Sequence, residues 1–244
     1  MPDNNITVNG IIISSMPIGE YDKRIVLLTK EIGKVSAFVR GARRQSSGFL
    51  GVSNAFIYGR FELYRGRSSY TVSKIEATEY FTGITTDINN MMYGSYFLEV
   101  SGHFAVENND EKDRLLLLYR TFQIMSKGTM DRDLIRSIFE LKTMVLNGVY
   151  PNLFECGSCG AKDNLASLSE NLEGVRCGKC VSDEDILLKP ATLYTMQYVA
   201  SSDIKKLFSF ELKEDIKKEF VEITEKLRDK YLSFEFKSAS FLKI

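Results

Sequence analysis

The chain has a single histidine and only four cysteines in 244 residues, no surplus of charge of either sign, and no long apolar run. Each shortage excludes something. The longest uncharged stretch, Asn4–Gly19, is sixteen residues and is interrupted by Asn, Thr, Ser and Pro. A spanning helix needs about 20 mostly apolar residues, so none is expected. Met1-Pro2-Asp3-Asn4 offers no basic start leading into an apolar segment, so no signal peptide is expected either. Four cysteines are too few for a disulfide scaffold of this size, and the cytoplasm is the expected location. With one histidine, His103, followed by Phe104-Ala105, there is no His-x-Glu of a zinc deaminase. Walker A, G-x-G-x-x-G and G-x-S-x-G patterns are also missing. His103 lies in an apolar helical stretch, and a packed or partly exposed structural role is expected for it. No catalytic residue is assigned.

The balanced charge is a cancellation. Lys+Arg and Asp+Glu number 32 each, yet the window 23–74 holds eleven bases against Glu31 and Glu62 alone, net +9. Residues 81–189 return the balance at net −5. A zero sum therefore does not exclude nucleic acid, since distribution decides the local field.

The hydrophobic pattern changes along the chain. Residues 7–13, 24–29, 35–40, 55–64 and 69–75 are short β-branched or alternating runs separated by Gly, Ser and Arg turns, which predicts five strands and a small closed barrel. After Gly83, apolar residues recur at helical steps over 88–106, 110–125 and 131–146, with Asp131 as N-cap and Asn147-Gly148 as stop. These three helices are expected to share a core. A second helical stretch begins at Lys189-Pro190, and 211–232 reads as a helix with a solvated, charge-paired face. The predicted organisation is α+β: a barrel over 1–80, helical parts over 81–150 and 190–244, and a cysteine-bearing insertion over 151–189.

Cys156-Gly-Ser-Cys159 and Cys177-Gly-Lys-Cys180 form C-x2-C-x17-C-x2-C, the spacing of a zinc ribbon. Four thiolates saturate a tetrahedral ion and leave no open position, so structural zinc is expected. Arg176 and Lys179 are candidates to offset the surplus negative charge of such a centre. The competing readings are two pairs that bind nothing or form disulfides. Asp183-Glu184-Asp185 beside the motif reads as a solvated turn.

The basic window interleaves its cations with Tyr21, Phe38, Phe49, Phe56, Tyr58, Tyr64 and Tyr70. Single-strand binding needs cations for phosphates and aromatic faces for bases. Lys23, Arg24, Lys34, Arg40, Arg43, Arg44, Arg65 and Arg67 are the candidate DNA-binding residues. The alternative is that the aromatics fill the barrel and the charges solvate its outside.

Gly19-Glu-Tyr-Asp22, Leu27-Leu-Thr-Lys-Glu31-Ile-Gly33-Lys34 and Gly41-Ala-Arg-Arg44 resemble, in order and spacing, the N-terminal half of the bacterial DNA repair protein RecO family. Phe61-Glu-Leu-Tyr-Arg-Gly66, Tyr96-Phe-Leu-Glu99, Phe139-Glu-Leu-Lys142 and Asn147-Gly-Val-Tyr-Pro151 continue that resemblance. Tyr21 departs from it, standing where many members have Ser. The resemblance implies an N-terminal OB-fold, a helical domain and an inserted four-cysteine zinc finger. It implies a recombination mediator that binds single- and double-stranded DNA, anneals complementary strands, and acts with RecR to load RecA onto DNA coated by single-strand-binding protein. It also implies a monomer in isolation, association with the nucleoid during repair, and no bond cleavage. The rival expectations are a zinc-containing adaptor that touches proteins but not DNA, and an unrecognised nuclease or RNA-modifying enzyme.

Overall fold

A computed structural model describes residues 4–242. The first three residues, part of the stretch read as lacking a signal peptide, lie outside them. By contacts the chain forms two compact units, residues 1–129 with 236–244, and residues 130–235. The divisions at 80, 150 and 189 mark changes in sequence pattern.

Unit one contains the barrel. Strands β1 (Asn5–Ile18), β2 (Asp22–Thr29), β3 (Gly33–Val39), β4 (Tyr58–Arg65) and β5 (Tyr70–Glu79) close in the order β1-β2-β3-β5-β4. Closure is made by a short parallel pairing, Ala37 with Tyr70 and Phe38 with Thr71. This order and size are those of an OB-like Greek-key barrel. Alternation sends Val8, Ile25, Leu27, Ala37, Phe61 and Leu63 inward, each at most 1% exposed.

The expected strand over 55–64 begins only at Tyr58. Phe56 adopts φ +71°, which ends sheet geometry and turns its ring onto Phe122, 5.5 Å away. Tyr58 and Phe81 likewise meet Tyr119. These contacts seat α1 (Thr82–Thr85), α2 (Ile88–Phe104) and α3 (Lys112–Lys127) around the barrel. Ile11 and Leu28 point away from the barrel interior yet are fully buried, because α2 and α3 pack on β1 and β2. His103 is exposed, its ring edge-on to Phe104 and Phe236.

The loop between α2 and α3 is tied by Glu111. Its carboxylate accepts from Val106 N, Asn109 Nδ2 and Arg114 Nε at 3.1, 3.1 and 2.8 Å. Burial works to raise the Glu111 pKa, but these donors outweigh it and the net shift is downward. A lowered folded-state value means stability that is present above the ordinary carboxylate pKa of about 4.3 and lost as pH falls through the folded value. Glu111→Gln should therefore flatten the acid limb of a stability–pH profile below about pH 4.3, as read by urea unfolding.

In unit two, α4 (Arg132–Leu146) packs against α5 (Pro190–Ser201) and α6 (Glu214–Tyr231). This corrects the expectation that α4 shares one core with the two preceding helices. Asp131 caps α4, accepting from Asp133 N and Leu134 N. Residues 134–144 are all buried, polar ones included. Lys142 Nζ donates to the carbonyls of Val199, Ala200 and Ser202 at 3.3, 3.0 and 2.8 Å, capping α5. Arg136 pairs with Glu225 at 2.6 Å, and Arg228 reaches Glu140 at 3.7 Å. The cysteine insertion is a three-stranded sheet, β6 (Leu165–Leu168), β7 (Val175–Cys177) and β8 (Ile186–Leu187), in the order β7-β6-β8. No helix among the described residues is long and apolar enough to cross a membrane.

Candidate functional site

Two arrangements carry chemistry, one in each unit. In unit two, β7 delivers Cys177 at its end, and the turn after it returns Cys180 through Cys180 N to Cys177 O, 2.8 Å. The other knuckle closes through Gly160 N to Cys156 O, 2.8 Å, and is held to β7 by Gly157 N to Val175 O, 2.9 Å. The four Sγ atoms all lie within 4.8 Å of one another, and Cys159 and Cys177 are 3.7 Å apart. A tetrahedron with 2.3 Å metal–sulfur bonds has edges of about 3.8 Å, so the donor set fits a tetrahedral thiophilic ion. All four cysteines are free.

Thiol ionisation supports the same fit. The backbone N–H of Cys177, with those of Cys159 and Ser158, draws Cys156 down to about 6. Cys180 is pushed up to about 12, chiefly by its hydrogen bonds with Cys159 and Cys177. Four sulfurs this close resist ionising together unless a cation compensates them.

Asp185 corrects the expectation of a solvated acidic turn. Its side chain is fully buried, accepting from Ser182 N and Ser167 Oγ at 3.1 Å each and pairing with Arg176 at 3.5 Å. Burial opposes its ionisation, but those partners hold its carboxyl below the usual range. Arg176 is thus committed to Asp185, while Lys179 stays exposed. Asp183 and Glu184 are exposed as expected.

In unit one, barrel closure sorts the charges between faces. On the outside of β4 and β5, Arg60 lies opposite Glu76 and Glu62 opposite Lys74, and Lys74 pairs with Glu76 at 2.6 Å. That face is neutralised within itself. The outside of β2 and β3 is different. A groove of about 550 Å³ runs there between the β4–β5 turn and the floor of the sheet, lined by Arg24, Lys34, Arg65 and Arg67 with Phe38 and Tyr70. Four of the eight predicted cations and two of the seven predicted aromatics therefore converge. Lys34 is partly committed, since its Nζ donates to Gly102 O in the last turn of α2 at 2.8 Å.

The other four cations lie around the β1–β2 turn. Arg43 donates from its backbone N to Tyr21 O and from Nη1 to Gly19 O, at 2.8 and 3.3 Å. Arg44 sits over the Tyr21 ring at 5.0 Å. Lys23 faces the barrel mouth and donates to Asn54 Oδ1 at 2.7 Å; burial and the neighbouring Arg43 lower its pKa. Arg40 pairs with Asp22 at 2.9 Å. The N–H of Gly41 and then Arg40 keep the Asp22 carboxyl below its ordinary value. Of the remaining aromatics, Phe56 and Tyr58 pack on α3 residues, and Phe49 packs on the barrel core, as Tyr70 also does while lining the groove. The helix α2 that walls this region was not foreseeable as part of it, since only packing brings Leu98 and Glu99 beside the sheet.

Comparisons with known proteins agree along the whole chain. Residues 1–81 match the family described as "Recombination protein O N terminal", and residues 85–240 match "Recombination protein O C terminal". The chain is similar to a protein of Alkaliphilus metalliredigens named "DNA repair protein RecO", 31% identical over 205 residues and covering 83% of each chain. A like-named protein of Acetivibrio thermocellus is 26% identical over 243 residues, 98% of this chain and 97% of the relative. One of Thermoanaerobacter sp. is 28% identical over 97% of this chain and 96% of its own.

Proposed function

The chain belongs to the recombination protein O family of DNA repair proteins, and from that premise we propose that it is a non-catalytic mediator whose barrel binds DNA and promotes annealing. In this reading it acts with RecR to bring RecA onto DNA coated by single-strand-binding protein. The observation that carries the DNA-binding part is the segregation of charge by the barrel. One outer face cancels itself in ion pairs, and the other gathers Arg24, Lys34, Arg65 and Arg67 beside Phe38 and Tyr70. Cations there meet phosphates, which carry no sequence, so binding is weakly sequence-specific. Aromatic faces add about 1–3 kcal/mol per stacked base.

Zinc held by Cys156, Cys159, Cys177 and Cys180 would supply folding free energy to residues 151–189 and no chemistry. The chain's own contribution there is the Asp185–Arg176 tie and the β7-β6-β8 sheet. Unit two then serves as a surface for protein partners, in keeping with the net negative charge of residues 151–189.

The test is annealing of complementary oligonucleotides, with and without single-strand-binding protein. Acceleration with products of unchanged length supports the reading. No retention of DNA favours an adaptor, and shortened products mean a nuclease. Log affinity for an unpaired oligonucleotide should fall with log salt at about −0.7 per neutralised phosphate. Arg65→Ala with Arg67→Ala should flatten that slope by about 1.4. An unchanged slope removes both residues from the contact set.

A further inference from the structure

We propose that the barrel carries two nucleic-acid sites of different chemistry: a groove that takes one unpaired strand, and an open cationic rim that takes the backbone of a second strand or of a duplex. This rests on the DNA-binding reading above and divides that surface in two.

The groove has walls. Its floor is the outside of β2 and β3, with Arg24, Lys34, Ser36 and Phe38. One wall is the β4–β5 turn bearing Arg65 and Arg67. A second lobe of about 590 Å³ shares Arg24, Lys34, Ser36 and Glu107 with the first and runs under α2, where Leu98 and Phe56 line it beside Glu99. The two lobes thus form one trench bounded by the turn on one side and α2 on the other. Two strands make a floor about 10 Å wide. One strand fits such a floor, with phosphates on the cations and a base meeting the Phe38 ring where it displaces the Arg40 guanidinium, 5.7 Å from the ring centroid; a paired duplex does not.

The rim has no walls. Lys23, Arg43 and Arg44 surround the Gly19–Tyr21 turn, and none of the three lines either lobe. The Arg44 guanidinium lies over the Tyr21 ring at 5.0 Å. A surface of this kind reads phosphates alone, and paired and unpaired backbones both supply them. Between rim and groove sits Asp22, whose carboxylate holds Arg40 and the N–H of Gly41. The Asp22–Arg40 pair is neutral as a unit and lies between the two cationic groups.

The division has a consequence for annealing. One strand lies in the groove while a second is held beside it on the rim, which lowers their mutual repulsion. Once paired, the product no longer fits the groove and stays on the rim alone, so the groove is emptied by the reaction it promotes.

The experiment uses the full chain, a fluorescent oligo(dT) and a blunt duplex of matched length, with the Tm of each variant recorded. Phe38→Ala should weaken oligo(dT) binding at least fivefold and leave duplex binding within twofold. Arg67→Glu, at a fully exposed turn, provides the same reading without touching any packed side chain. Arg43→Ala with Arg44→Ala should do the reverse. Excess duplex should leave pre-bound oligo(dT) in place. Simple displacement by duplex, or equal loss of both ligands in every variant, would mean one shared site and overturn the proposal. Failure of the unaltered chain to hold either oligonucleotide would instead overturn the DNA-binding reading beneath it.

Discussion

Replacing Cys177 by serine should remove the metal and, with it, the order of residues 151–189. Cys177 is 4% exposed and ends β7, so its sulfur is placed by the same backbone that pairs with Leu165 on β6. Serine offers a poor ligand at that point and leaves three thiols that cannot all ionise without a cation. Structural zinc contributes about 10–16 kcal/mol to isolated finger peptides, because an unliganded finger is unfolded. The three strands are only four, three and two residues long, so most of that contribution should be felt locally. Metal analysis should give one zinc per chain before the substitution and a small fraction afterwards. Limited proteolysis should then cut first between 151 and 189, and a strong chelator should reproduce the pattern in the unaltered chain. Full zinc content with an unchanged digest would show that Cys177 is not a ligand.

Gly33→Ala should lower Tm by about 10 °C, far more than alanine at Gly19 or Gly48. Gly33 has φ +65°, which costs an L-residue about 1–2 kcal/mol. A Cβ there would also stand 2.3 Å from Val106 O and 2.8 Å from Asn109 O, both backbone atoms. The β2–β3 turn docks through these atoms: Lys34 N donates to Val106 O at 3.1 Å and Asn108 N to Ile32 O at 3.0 Å. The side chain can enter only if the α2–α3 loop moves away. A total of about 3 kcal/mol is expected, at the upper end of ordinary substitutions. Two controls separate the causes. Gly19 has φ +57° with open space around it, so Gly19→Ala reports the backbone cost alone. Gly48→Ala meets nothing within 4 Å and has no positive φ, so it should be nearly neutral. Equal Tm for the Gly33 and Gly19 variants would remove the docking argument. Since Glu107 and Asn108 of the same loop line the groove, Gly33→Ala should also weaken oligo(dT) binding.

Comparing elements shows where sequence reasoning reached its limit. Five strands, the α2 to α4 helices and the Asp131 cap were legible because each depends on neighbours within a few residues. Phe56 broke the strand expected over 55–64 because Phe122, far along the chain, supplies a better environment for its ring than the sheet does. On α4, helical period alone would leave the residues between the apolar positions in solvent. They are buried where Glu225 and Arg228 of α6 pair with Arg136 and Glu140, and the carbonyl end of α5 accepts from Lys142. Asp185 looked like one of three equivalent acids, and only the sheet singles it out.

The sequence by itself determined the four-cysteine donor set that could hold a metal ion, since C-x2-C pairs converge through their own tight turns. It also determined that a basic field lies between residues 23 and 74, and that the resemblance to recombination protein O runs nearly end to end. It could not say which face carries that field. Strand order and register decide it, because a one-residue step sends each side chain to the other side of the sheet. Only the closed barrel shows Arg60 and Lys74 cancelled by Glu76 and Glu62 on one face, and Arg24, Lys34, Arg65 and Arg67 left together on another. Charge is a property of residues, but a binding surface is a property of which residues the fold leaves side by side.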